Sequence, residues 1–372
     1  MKTIKQIAFL LACFSVVFLG ACDGADDEPG GPTDAFDRAG MLVHWADNII
    51  IPAYNAYVTQ LDGLKTSTDN FVADATMDNL ISLQSAWANT TFAWQRVSMF
   101  EIGPAEAITL RNFTNVFPVD TDEVDGFVAS GDYNLQLPST NDAQGLPALD
   151  YLLFGTGADE AAVLAALDNA NHKAYLTALV DRLRTMGTSV RDSWTTGGYR
   201  DEFVAADGST ATSSVNKLVN DFMFYYEKAL RAGKVGIPAG VFSGTPLSDK
   251  VEAPFSGELS GEFLVAALGE VQRFFTGANF TTNADGPGLA DYLDHLGTER
   301  NGENLSDAIG AQLSSALTAI FQLDSDLKNQ VEMDNSAMLT AYDELQKAVV
   351  MMKVDMFLAL NIQVDFVDAD GD

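Results

Sequence analysis

The chain has 372 residues, with 52 Asp and Glu against 21 Lys and Arg, and a formal net charge of −31. This balance argues against a nucleic-acid partner, which needs Lys and Arg to neutralise phosphates, and it suits a secreted body that stays soluble and is compatible with cation capture. With Cys13 and Cys22 the only cysteines, the folded part has no disulfide framework, and a length of about 350 residues after the leader favours two domains.

Residues 1–21 read as a lipoprotein signal peptide. Lys2 and Lys5 form a basic start, Ile7 to Leu19 is an apolar run too short to span a bilayer, and Leu19-Gly20-Ala21-Cys22 resembles a bacterial lipoprotein cleavage box. Cys22 is then the expected lipidation site, and the membrane the expected partner through its acyl chains. Residues 22–33 form an acidic tether whose Asp23, Asp26, Asp27 and Glu28 resemble a surface-export signal. The expected address is the outer membrane, on its cell-surface or periplasmic face. Loss of Lys2 and Lys5 with the leader takes the net charge from −31 to −33.

From residue 34 the dominant period is helical. Leu42, Trp45, Ile49, Ala53, Ala56, Leu61 and Leu64 recur at three- and four-residue steps, with Pro52 inside the run and a kink expected there. A second helix is predicted from about Asp78 to Phe100, its stripe made by Leu80, Leu83, Trp87, Thr90, Trp94 and Val97, and Gly103-Pro104 stops it. Residues 105–144 form a long connection that holds Arg111 and the turn Phe117-Pro118-Val119-Asp120. In it Asp120 is placed to cap a short helix over Thr121 to Val128.

The stretch Gly145-Leu146-Pro147-Ala148-Leu149-Asp150 opens on a glycine, sets a proline where a helix begins and carries one carboxylate on an apolar turn. Helices over about 159–167 and 171–195 complete an N-terminal bundle, 34–205. The polar run after Gly208 marks the boundary to a C-terminal bundle, 206–372. That second half is predicted to hold helices over about 213–234, 260–276, 306–330 and 336–361. Between the second and third of these, Gly288-Leu289-Ala290-Asp291-Tyr292-Leu293 echoes the Gly145 stretch, which points to a duplicated helical unit. No segment alternates long enough to demand a sheet, so the fold class expected is all-α, two helical bundles related by an internal pseudo-repeat.

The joint order of several stretches resembles the imelysin family, classed among peptidases as M75. They are Ile51-Pro52-Ala53-Tyr54, Ala86-Trp87 with Trp94-Gln95, Arg111-Asn112, Phe117-Pro118-Val119-Asp120, the Gly145 motif, Val251-Glu252-Ala253-Pro254-Phe255-Ser256 and the closing Asp368-Ala369-Asp370-Gly371-Asp372. The resemblance implies an all-helical two-domain fold with a site between the domains, a role linked to bacterial iron uptake and a disputed history as a metallopeptidase. The family hallmark is Gly-x-His-x-x-Glu. On this chain Gly145 matches the glycine, Pro147 stands where the histidine is expected and Asp150 where the glutamate is expected.

That departure bears on chemistry. Histidine offers a nitrogen suited to first-row metals, whereas proline offers no side-chain donor. Hydrolytic zinc sites hold about three protein ligands, yet His44, His172 and His295 are the only histidines, and none has metal-ligand spacing with another. His295 follows the second Asp-Tyr-Leu and is the one weighed as a ligand from the repeat. The candidate binding residues are Gly145, Pro147, Asp150, Glu252, Asp120 and Arg111, with Asp150 and Glu252 the weak candidates for a metal. No catalytic residue is assigned. Asp120 also reads as a helix cap, Arg96 and Arg111 as partners of structural carboxylates, and Trp87, Trp94 and Tyr151 as core. The terminal Asp365, Asp368, Asp370 and Asp372 have calcium-like spacing without a closing Glu. The function expected is a lipid-anchored binding protein in iron or haem-related uptake, holding iron or another divalent cation and working with an outer-membrane transport partner. The alternatives are a divergent metallopeptidase and a structural or interaction module.

Overall fold

The computed structural model describes residues 35–366, so the leader, Cys22, the tether and the terminal Asp368, Asp370 and Asp372 lie outside the described residues. Helix α1 (Arg38–His44) starts at Asp37, whose Oδ1 accepts the Gly40 N–H at 2.8 Å. It continues through a π-helical stretch, Trp45–Ile50, into α2 (Ile51–Ala73). Pro52 lies inside this continuous helix, where its missing N–H leaves a carbonyl of the preceding turn without its helical donor. The carbonyl it cannot serve, that of Asn48 four residues back, accepts the Phe280 N–H at 2.8 Å instead. A hydrogen bond from the second half of the chain thus covers the gap the proline leaves, and the helix runs on.

Thr76 caps α3 (Met77–Gln95), which buries Leu80, Leu83, Trp87, Thr90 and Trp94, the stripe its periodicity predicts. The long connection holds three short helices, α4 (Pro104–Ala107), α5 (Leu110–Thr114) and α6 (Thr121–Ser130), and a 3₁₀ turn, Pro138–Ala143. Then come α7 (Gly145–Asp150), a π-helical turn over Tyr151–Gly155, α8 (Glu160–Leu167), α9 (Ala170–Thr195) and α10 (Tyr199–Ala205).

In the second half, α11 (Ser214–Phe224) widens into a π-helical stretch of 12 residues, Tyr225–Gly236. It is followed by α12 (Leu259–Phe275) and α13 (Leu289–His295). A two-stranded antiparallel ribbon pairs Glu299–Arg300 with Glu303–Asn304, too short to show as alternation in the sequence. The helix expected over 306–330 is two helices, α14 (Leu305–Ile320) and α15 (Leu327–Met333). The break has a cause: Asp326 caps α15 by accepting the Asn329 N–H at 3.1 Å, and the turn docks on the start of α12, where Ser325 O accepts the Gly261 N–H at 2.8 Å. The chain closes with α16 (Asn335–Val350), a π-helical stretch Met351–Met356 and α17 (Phe357–Ala359).

The fold is all-α. In the first half α2 packs against α3 and α9; in the second α16 packs against α14 and against the Tyr225–Gly236 stretch. The boundary expected at 205/206 falls in the loop between α10 and α11, and the two halves share one hydrophobic core. Its seam is aromatic. Trp45 and Phe100 meet Phe274 at ring-centroid distances of 5.1 and 5.4 Å, and Trp87 and Phe92 meet Phe263 at 5.8 and 4.8 Å. Such pairs contribute about 0.5–1.5 kcal/mol each beyond their buried area. Among the described residues no helix is long and apolar enough to cross a membrane.

The two echoed motifs share an entry and differ in their acid. Gln144 and Gly288, the residues before α7 and α13, have φ, ψ of −135°, −173° and −133°, −173°. Asp291, in the first turn of α13, accepts the Gly288 N–H at 3.0 Å and so closes its own helix start. Asp150, at the far end of α7, is fully buried and points elsewhere.

Candidate functional site

Asp150 reaches across the seam. Its Oδ2 accepts the Phe255 N–H at 3.0 Å and its Oδ1 the Ser256 N–H at 2.9 Å, so the carboxylate fastens the loop after residue 250 rather than its own helix. Burial raises its pKa to about 7 against the pull of these hydrogen bonds, with Glu252 adding to the rise. Gly145 makes the approach available. It has φ +76°, and a Cβ there would press into the carbonyl oxygen of Thr114. Leu146 O takes the Trp87 Nε1–H at 3.0 Å, fixing α7 to α3. Pro147 is buried in the first turn of α7 and brings no polar atom.

The fastened loop carries Glu252 into the interior. Val251 and Ala253 are buried beside it, and Ala253 has φ +55°, a left-handed backbone that costs a residue with a Cβ about 1–2 kcal/mol. The loop holds this strain because both of its sides are tied down. Glu252 is 2 % exposed; its Oε1 accepts from Gln95 Nε2 at 3.1 Å and Asn115 Nδ2 at 2.6 Å, and its Oε2 pairs with the Lys234 ammonium. Burial lowers the Lys234 pKa while Glu252 pulls the other way. Lys234 comes from the Tyr225–Gly236 stretch, Gln95 from the end of α3 and Asn115 from the end of α5, so one carboxylate gathers three elements.

Arg111 stands at a second knot. Its guanidinium donates to Ser98 O at 2.8 Å and to Asp221 at 2.9 Å, and pairs with Glu101 at 3.0 Å, while Asp221 also accepts the Glu101 N–H at 2.6 Å. Burial raises both carboxyl pKa values, and Arg111 opposes it.

Between the two knots lies a cavity of about 260 Å³. Arg111 and Lys234 line it, with Gln95, Tyr225, Phe117 and Ile237 among its walls. Neither Asp150 nor Glu252 is part of that lining; they stand behind it and hold its donors in place. Gln95 Oε1 is buried without a hydrogen-bond partner among the described residues, and the buried Tyr225 hydroxyl has Ser98 as its neighbour.

The family now follows from direct comparison. The imelysin model, peptidase M75, matches residues 50–352. The chain belongs to the imelysin family. Two solved structures share the imelysin fold. An imelysin-like protein from Psychrobacter arcticum 273-4 is 21 % identical with a TM-score of 0.68, the match covering 88 % of this chain and 97 % of that one. A protein from Parabacteroides distasonis ATCC 8503, named as an iron-regulated protein A precursor, is 16 % identical with a TM-score of 0.69, covering 86 % and 95 %. No curated protein matches the sequence.

Within this imelysin fold the sequence candidates separate. Asp150 and Glu252 come together through one loop, and Arg111 lines the cavity. Asp120 does not join them: its Oδ1 accepts the Glu123 N–H at 2.9 Å and caps α6. The histidines are dispersed, His44 bonding Gly277 O at 2.7 Å, His172 lying beside Asn169 at the start of α9, and His295 packing against the Phe36 ring. The donors at the site do not fit a metal ion. Both oxygens of Asp150 and both of Glu252 are already engaged, Pro147 has none, and among the described residues no three His, Cys, Asp or Glu converge.

Sequence reasoning missed Gln95, Asn115, Lys234 and Tyr225. Lys234 left one trace, a basic residue set against the apolar Val235-Gly236-Ile237 in a chain with 21 Lys and Arg in all.

Proposed function

We propose that this imelysin is a lipid-anchored, non-catalytic binding protein whose ligand enters the cavity between Arg111 and Lys234 and serves iron-related uptake. The observation that carries the reading is a cavity at the seam of the two halves, walled by Trp94, Phe117, Tyr225 and Ile237 with Arg111 and Lys234 among its lining. The iron connection is supported by the name of the Parabacteroides relative, and the anchor by Cys22 in its lipobox-like setting.

Size narrows the ligand. Ligand pockets run from roughly 300 to 1,000 Å³, and a cavity of about 260 Å³ stands at the small end, too small to enclose a porphyrin. Haem is therefore a poor fit here, and iron itself lacks donors. What fits is a small organic molecule. Asp150 then serves as a fastening of the wall, not a contact with ligand.

Ala229 lines the same cavity, and Ala229→Phe fills it. A melting-shift panel of ferric citrate, haem and small organic compounds should stabilise the wild-type protein with at least one compound and leave Ala229→Phe unmoved. Equal shifts in both proteins would place binding elsewhere.

A further inference from the structure

We propose that the protein carries a binding seat for an acidic peptide, made by Lys228, Arg231 and Lys353, and that its occupant is the chain's own stretch Val367-Asp368-Ala369-Asp370-Gly371-Asp372, which lies outside the described residues. The seat is independent of what the cavity binds. Charge is its first support. Glu227, 1 % exposed, is met by Lys353 at 2.9 Å, by Lys228 at 3.1 Å and by Arg231 at 3.7 Å. Three positive charges thus converge on one negative charge, in a chain of 52 acids and 21 bases. Lys228 and Lys353 each keep 16 % of the side chain exposed, so a further anion has access to the knot. Arg231 is held in position by the Tyr342 hydroxyl and Gln346 Oε1, both of which accept from its Nη1.

The path of the chain is the second support. Asn216, Asn220, Phe224 and Lys228 follow at four-residue steps along α11 and its π-helical continuation, each step about 6 Å. The last described residues climb this face in order. The Gln363 N–H donates to Asn216 Oδ1 at 2.9 Å and its carbonyl accepts from Asn220 Nδ2 at 2.8 Å; the Asp365 N–H donates to Asn220 Oδ1 at 3.1 Å. Phe366 then meets the Phe224 ring edge-on at 5.9 Å, with the Lys353 ammonium 5.5 Å from its own ring centroid. The next step along the face is Lys228. Two extended residues span about 7 Å, so Asp368 comes level with it. In an extended chain Asp370 and Asp372 share a side with Asp368, which directs all three acids to the cations. A calcium ion on the same aspartates would stand against three positive charges, which disfavours it.

The test is a double-mutant cycle on the full chain, read as melting temperature at about 50 mM and about 500 mM salt. One arm changes Asp368, Asp370 and Asp372 together to Asn; the other is Lys228→Gln. At low salt the Asn variant should melt about 2–4 °C below wild type. High salt should remove at least half of that loss, and so should the Lys228→Gln background. Lys347→Gln, which removes a lysine 55 % exposed and paired with Glu344, should leave the loss intact and so separates the seat from charge in general. The sign is decisive. With no seat, taking three negative charges from a chain at −31 relieves repulsion, and the Asn variant melts at or above wild type. That result overturns the proposal, as does a full loss in the Lys228→Gln background. Calcium that raises the melting temperature of wild type but not of the Asn variant would make the aspartates a cation site instead. Inorganic phosphate that raises both equally would show the seat open to outside anions and not filled by residues 367–372.

Discussion

Asp150 and Ser256 are 106 positions apart in the chain, and the carboxylate of one accepts the backbone N–H of the other at 2.9 Å. This contact, doubled by Phe255, holds a loop from the second half against a short helix of the first. It also makes the tie sensitive to protons. With a folded-state pKa of about 7, above the ordinary carboxylate range, Asp150 binds its proton more tightly when folded. Its contribution is fully present below the ordinary range and is lost as pH rises towards 7, after which it stays flat. Urea unfolding at pH 5 and pH 8 should show wild type less stable at pH 8, with Asp150 responsible for up to about 2.5 kcal/mol of the difference. Asp150→Asn should flatten the slope. An unchanged slope in the variant would remove Asp150 from the linkage.

Lys234 and Glu252 form a buried pair at 3 % side-chain exposure each. Lys234→Met leaves the carboxylate buried with two amide donors and no cation, and should cost about 3–5 kcal/mol in denaturant unfolding. Lys234→Met with Glu252→Gln should recover most of that loss, since no charge is left unpaired. A double variant as unstable as the single would mean the pair is held for packing rather than charge.

Glycines with left-handed backbone offer a controlled comparison. Gly131 has φ +67° and open space around a would-be Cβ, so Gly131→Ala should cost about 1 kcal/mol. Gly145 has φ +76° and the Thr114 carbonyl in the way, so Gly145→Ala should cost at least twice as much by the same unfolding measurement. Equal losses would show that α5 yields freely to α7.

Exhaustive chelation should leave the melting temperature in place, and adding ferric, zinc or calcium salts to the chelated protein should not raise it. A ligand held by the native state alone raises apparent stability by mass action, so a shift with one of these ions would reveal a site that the donor geometry does not show.

Much of the scaffold is legible in the residues because long helices write their buried stripe into the sequence. The α3 stripe from Leu80 to Trp94 is an instance, and Asp120 before Thr121 announces its cap. The break between α14 and α15 is hidden, since Ile320 to Leu327 keeps a helical period and only the docking of Ser325 on Gly261 ends the helix. The site is legible in part. Asp150 and Glu252 stand out as acids in apolar settings, but their roles depend on contacts 105 and 157 positions away, with Phe255 and Gln95. Gln95, Asn115 and Tyr225 carry no local signal, because a neutral polar residue at a helix end is ordinary until its partners are known.

The wide turns of Tyr225–Gly236 set where Lys234 and Ile237 face, and they do so by holding one more residue in each turn than an ordinary helix would. Deleting a single residue from the ordinary turns of α11 just before it, which hold no extra residue to give up, would rotate everything downstream by about 100°. The ammonium would swing off Glu252 and the chamber would lose a wall without any change in amino-acid chemistry. The chamber is therefore a matter of phase: its shape is kept by counting residues, and a one-residue slip would erase it as surely as a charge reversal.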